Sequence, residues 1–196
     1  MKIIVGNTSE GDNFFGRLTE LAHLDRLLED HHVLLLAPRR VGKSSLLRAY
    51  RARARTDGVI VVYADVQDTR SSADAEAQFV RTVLGAIYAT PAGKAVRPGW
   101  WSRWRAGRTS RIKQLQLLGG VGAEIEHLAT SWQHEAEAAF TRLLEGKTKW
   151  VVMIDELPNV VTALAELDPS GRRARAFLAW FRALRNRCGN KLHFVV

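Results

Sequence analysis

Cysteine is almost missing from this chain. Cys188 stands alone, which excludes an internal disulfide and a cysteine-based zinc site. The six histidines fall at no metal-ligand spacing, and His31-His32 reads as a solvated helix-to-strand turn. Long apolar runs are missing too. No stretch approaches the roughly 18 residues of a membrane span, and Ile3-Ile4-Val5 is too short for the core of a secretory signal. No membrane partner is expected, and a cytoplasmic location is the default expectation. Proline is scarce, with 5 in the chain, and no repeat or low-complexity tract interrupts it. Acid is missing locally: six cations and no carboxylate lie from Arg97 to Lys113, and seven cations and no carboxylate from Arg172 to Lys191. These stretches carry much of the formal charge of +9. They suit nucleic acid, through phosphate neutralisation, or an acidic partner surface. Solvated helix faces are the alternative.

What remains is ample for a core. With 196 residues and 46% hydrophobic side chains, the chain fits one domain, 1–196. Leu18, Leu21, Leu24, Leu27 and Leu28 make an apolar helical stripe that ends before a short strand, Val33 to Leu36. Val59 to Ala64 reads as a buried strand ending at Asp65, and Asp74 to Tyr88 as a crossover helix. Trp150 to Ile154 is a further buried strand. A helix carrying Phe177, Trp180, Phe181 and Leu184 leads to a last strand from Leu192. Such strand, helix, strand units imply an α/β fold with a parallel sheet between helices. The alternation is interrupted at about 91–130. There Ile112 to Leu118 and Val121 to Ile125 flank Gly119-Gly120, which predicts a small β-hairpin insertion. A helix from about Ser131 to Leu144 follows.

Between the Val33–Leu36 run and the apolar Leu46-Leu47 lie Ala37-Pro38-Arg39-Arg40-Val41-Gly42-Lys43-Ser44. A strand, a phosphate-sized loop and a helix start occur in that order. The pattern G-x-x-x-x-G-K-[ST] binds nucleoside triphosphates because loop N–H groups and the helix N-terminus face the phosphates. Its lysine reaches the terminal phosphates and its hydroxyl takes a magnesium position. Gly42, Lys43 and Ser44 fill these roles, while Ala37 stands where the pattern has its first glycine. That substitution puts a Cβ at a tight turn.

The strand Trp150–Ile154 runs straight into Asp155-Glu156. Ligands of open parallel sheets sit beyond the carboxyl ends of the strands, so both acids are expected to share a crevice with Lys43. Asp155 is then the magnesium residue and Glu156 the residue that orients or deprotonates the attacking water.

The ordered segments Phe15-Gly16-Arg17, Pro38-Arg39-Arg40-Val41-Gly42-Lys43-Ser44-Ser45-Leu46-Leu47, Ile154-Asp155-Glu156-Leu157-Pro158 and Phe181-Arg182-Ala183-Leu184-Arg185 resemble prokaryotic AAA-type P-loop ATPases. More narrowly they resemble the archaeal-ATPase group of the signal-transduction ATPases with numerous domains (STAND). The resemblance spans nearly the whole chain. It implies an AAA/RecA-like core, ATP/ADP and Mg2+ as ligands, and a nucleotide-controlled switch in signalling, defence or remodelling. It also implies that Phe15, Gly16 and Arg17 lie by the nucleotide with the 37–45 loop. Arg182 or Arg185 would act as an arginine finger or nucleotide sensor. Relatives continue into a sensor residue, a fifth strand, a helical lid and often a winged helix, none of which follows Val196. Truncation of a longer reading frame is therefore expected, with Val33–Leu36 left as a sheet edge. Lys2–Val5, a second copy or another protein would cover that edge.

Two other functions compete with a Mg-dependent ATP hydrolase. In Trp100-Trp101-Ser102-Arg103-Trp104-Arg105, aromatic faces suit base stacking and arginines suit phosphates, as in a nucleic-acid module with a vestigial nucleotide site. An anchor in the chain's own core explains the same tryptophans. An assembly scaffold that binds nucleotide only to gather subunits is the third reading. GTP is disfavoured, since Gly189-Asn190-Lys191-Leu192 lacks the aspartate of a guanine-reading N-K-x-D.

Overall fold

The strand Lys149–Asp155 is apolar from Trp150 to Ile154, and six of its seven residues are buried, as expected of a strand covered on both faces. It is the middle strand, β2, of a parallel sheet seen in a computed structural model that describes residues 17–36, 41–53, 58–71, 74–105 and 122–196. β1 (Val59–Asp65) pairs with it in register from Val59 opposite Lys149 to Asp65 opposite Asp155. On the other side, β3 (Leu192–Val195) pairs from Trp150 opposite Leu192 to Met153 opposite Val195. The order is β1-β2-β3.

The expected strand Val33–Leu36 is reduced to one parallel bridge, Val33 to Val195. Its backbone follows β3 nonetheless. Val33 N–H donates to Phe194 O at 2.8 Å, Val196 N–H to Val33 O at 3.0 Å, and Leu35 N–H to Val196 O at 2.7 Å. β3 is only four residues long, which leaves few partners for a longer ladder. This segment therefore lies beyond β3, with β3 between it and β2.

Period-two alternation along β2 divides the core. Val151 and Met153 pack with Val195 against α1 (Leu18–Leu27) and α2 (Lys43–Arg53), through Leu21, Leu24, Leu46, Leu47 and Tyr50. Trp150, Val152 and Ile154 face the opposite way. They join Leu192 and Phe194 against α3 (Ala75–Tyr88), α5 (Gly122–Glu145), α6 (Leu157–Leu167) and α7 (Arg172–Cys188). α4 (Pro91–Val96) follows α3, with Thr90 as its N-cap accepting from Gly93 N–H at 3.0 Å. Burying each large apolar side chain stabilises the fold by about 1.5–3 kcal/mol.

One expectation is corrected. Residues 122–125 are helical, so the predicted hairpin lacks its second arm, and its first arm, 112–118, lies outside the described residues. Ala123, Glu124, Glu126, Leu128 and Ala129 are strong helix formers, and their summed preference extends α5 to nine residues before Ser131. For the tryptophans, the core-anchor alternative holds at two of the three positions. Trp101 and Trp104 are 3% and 7% exposed. Trp101 meets Tyr88 edge-on at 4.9 Å between centroids, and the Arg81 guanidinium covers Trp104 at 5.3 Å. Both are internal anchors and offer no face to a base.

The second basic stretch is partly neutralised inside the chain. Arg173 forms a two-pronged pair with Glu76, at 2.6 and 3.0 Å, and Arg187 meets Glu137 at 3.3 Å. Among the described residues, no helix is long and apolar enough to cross a membrane.

Candidate functional site

α2 begins where the loop ends. Gly42 takes φ of +79°, a left-handed conformation that glycine adopts without a Cβ penalty, and its carbonyl accepts Leu46 N–H at 3.0 Å to open the helix. Arg17, just before α1, holds this corner: its Nη2 donates to Val41 O at 2.6 Å and its Nη1 to Gly42 O at 3.4 Å. Arg17 therefore lies at the loop, bonded to its backbone. Phe15, Gly16, Ala37, Pro38, Arg39 and Arg40 lie outside the described residues. Ser45 is buried in the first turn of α2.

Lys43 and Ser44 converge on Asp155, which is 2% exposed at the end of β2. Lys43 Nζ stands 3.6 Å from Asp155 Oδ1. Ser44 Oγ donates to Asp155 Oδ2 at 2.5 Å, and Glu156 N–H donates to Oδ1 at 3.1 Å. Two adjacent pairs far apart in sequence thus meet at the carboxyl end of the middle strand, where the loop and acidic motifs predict a crevice. A buried carboxylate needs such donors, since an unpaired one costs several kcal/mol, on the order of the desolvation penalty per ion.

Glu156 adopts φ of 63° and ψ of 30°, the one positive φ outside glycine among the described residues. The left-handed conformation costs roughly 1–2 kcal/mol. It turns the chain from β2 into α6, with Pro158 in the first turn of that helix. The Glu156 carboxylate accepts Asn159 Nδ2 at 3.3 Å, and Asn159 is itself 8% exposed.

Sequence reasoning missed two neighbours. Tyr63 on β1 is the cross-strand partner of Met153, two residues before Asp155 and on the same face, and its hydroxyl donates to Asp155 Oδ2 at 2.8 Å. Burial, and then the Asp155 carboxylate, push the phenol above its ordinary pKa, so it stays a donor. Asn159 is the second. Strand parity puts Tyr63 on one face with Val59 and Val61, but only the register of β1 on β2 brings it to Asp155, and no sequence pattern marks Asn159.

Arg182 and Arg185 stand apart from this site. The Arg185 carbonyl is bonded to His32 Nε2 at 3.0 Å, and His32 Nδ1 accepts Phe194 N–H at 3.0 Å. Phe194 is level with Val152, three residues or about 10 Å below Asp155 along the strand. Among the described residues neither arginine takes part in the contacts joining Lys43, Ser44, Asp155 and Glu156.

Among the described residues no group of three His, Cys, Asp or Glu side chains can cage a metal. Ser44 donates a hydrogen bond to Asp155 and keeps its lone pairs free, so both side chains present oxygens of the kind hard cations take. A scan against protein-family models and searches of curated proteins and of solved structures found no match.

Proposed function

We propose that this chain is a P-loop nucleotide-binding protein that takes ATP with Mg2+ and hydrolyses it, in the manner of a nucleotide-controlled switch. The observation that carries the reading is the convergence of Lys43 and Ser44, from the start of α2, on the buried Asp155 at the end of β2. The loop order in the sequence and the interposed β3 agree with it. Lys43 supplies a cation for the terminal phosphates, and the first N–H groups of α2 face the same anion. Ser44 and Asp155 would hold Mg2+, which neutralises phosphate charge when bound. Glu156 orients or deprotonates the attacking water, after its carboxylate leaves Asn159.

The test is ATP binding and phosphate release by the chain as given, by Lys43→Ala and by Glu156→Gln. Removing one partner of a charge contact costs about 2–5 kcal/mol, so Lys43→Ala weakens ATP binding by ~30-fold or more. Glu156→Gln keeps ATP and slows phosphate release by about 100-fold or more. Absence of ATP binding by the unchanged chain overturns the reading.

A scaffold reading draws on a different observation. Leu34 and Leu36 are 65% and 84% exposed in the segment beyond β3, an apolar edge suited to a second subunit or another protein. Of the three tryptophans in the nucleic-acid reading, Trp101 and Trp104 are buried and Trp100 is half-buried.

A further inference from the structure

We infer that Tyr63 is a positioning residue of the nucleotide site: its phenol fixes the angle of the Asp155 carboxylate toward the metal that accompanies ATP. The inference rests on the nucleotide-binding reading above and adds a residue to it. Asp155 Oδ2 accepts two hydroxyl donors, Ser44 from α2 at 2.5 Å and Tyr63 from β1 at 2.8 Å. Only one of them is independent of the ligand. Ser44 Oγ is the group that turns toward a bound cation, so its hold on the carboxylate changes with occupancy. Tyr63 has no such second duty. Its ring packs with the Val59 and Val61 side of β1, and the Arg48 guanidinium lies 5.5 Å from the ring centroid.

With its ring beside Arg48 of α2, the tyrosine holds the carboxylate on β2 through its phenol. Glu156 N–H fixes the other oxygen, Oδ1, at 3.1 Å. With a donor on each oxygen, the carboxylate is oriented before any ion arrives. Groups that orient a metal ligand in this way raise metal affinity without touching the metal.

A tyrosine that merely fills a core edge would have the same contacts, so the test must separate the two. The experiment compares the full chain with Tyr63→Phe, which keeps the ring and removes only the oxygen. A fluorescent ATP analogue is titrated in EDTA, and then at fixed nucleotide with increasing MgCl2; melting is followed in parallel. The expected result is an unchanged EDTA affinity within about twofold, melting close to that of the parent, and a magnesium midpoint raised by about three- to tenfold, the worth of one hydrogen bond. An unchanged magnesium midpoint in Tyr63→Phe, with a parent that does respond to magnesium, overturns the positioning role and leaves the nucleotide reading standing. An equal loss of affinity in EDTA and in magnesium marks a structural role and overturns it as well. A parent chain that binds no nucleotide at all removes both.

Discussion

Replacing Trp101 by alanine tests whether the basic, tryptophan-rich segment belongs to the core or to a ligand. Trp101 is 3% exposed, sits edge-on to Tyr88 at 4.9 Å and lies 5.4 Å from the Trp104 ring. A buried indole removes on the order of 200 Å² from water, which at about 25 cal/mol per Å² is roughly 5 kcal/mol. Aromatic pairing adds about 0.5–1.5 kcal/mol, while partial collapse of the site returns part of the total. The expected loss is about 3–5 kcal/mol. For a chain of this length each kcal/mol moves the melting temperature by about 2–4 °C, so Trp101→Ala melts roughly 6–20 °C lower. Thermal and urea melts measure the loss, and a fluorescent single-stranded oligonucleotide at low salt provides the control. A melt within about 3 °C of the parent, together with weakened oligonucleotide binding, would refute the packing argument and restore the stacking role.

Acid provides the next test. His32 has a lowered pKa, from burial first and then the Arg185 charge, against the opposing bond to the Arg185 carbonyl. His193 is lowered by burial first, then by His32, Lys149 and His31, with Asp30 opposing, and neither of its ring nitrogens has a hydrogen-bond partner among the described residues. Both groups bind protons more readily unfolded, so their contribution is complete above about pH 6.5 and is lost as pH falls through the lower folded values. Asp168, held at about 2 by Ser170 and the Arg173 N–H, titrates well below this window. The urea midpoint should therefore fall between pH 7.5 and 5, and fall less in His193→Leu; a flat midpoint would count against the two histidines. At the sheet edge, Leu34→Lys with Leu36→Lys should leave melting within about 2 °C, as surface changes do. The same double variant should reduce self-association in sedimentation runs with and without ATP, and a monomeric parent under both conditions removes the edge as an assembly surface.

The strands and acids were legible because their patterns are local. Val59–Asp65 and Lys149–Asp155 are continuous apolar runs closed by acid, and Ala75–Tyr88 carries an unbroken helical period. α6 has no counterpart in the sequence reading, although its Val160, Ala163 and Leu164 have helical spacing. The Gly119-Gly120 turn signal outweighed the helix formers after Gly122, and propensity summed over α5 prevailed. Tyr63 and Asn159 escaped for a different reason. Tyr63 reaches Asp155 only through strand register, across 92 residues, and no local pattern encodes that pairing.

Register is also what makes the site. Val151 and Met153 are buried against α1 and α2, so the period of two sends Asp155 to that same face, where Ser44 and Lys43 stand. Tyr63 lies on it too, because Val59, Val61 and Tyr63 share the alternate positions of β1. A slip of one residue in β2 would bury Asp155 among Phe177, Leu164 and Ile87 and present Ile154 to Lys43. The cost of placing a carboxylate there, several kcal/mol at least, exceeds anything a shifted ladder could return. The hydrophobic pattern that selects the fold therefore also selects which carboxylate meets the loop.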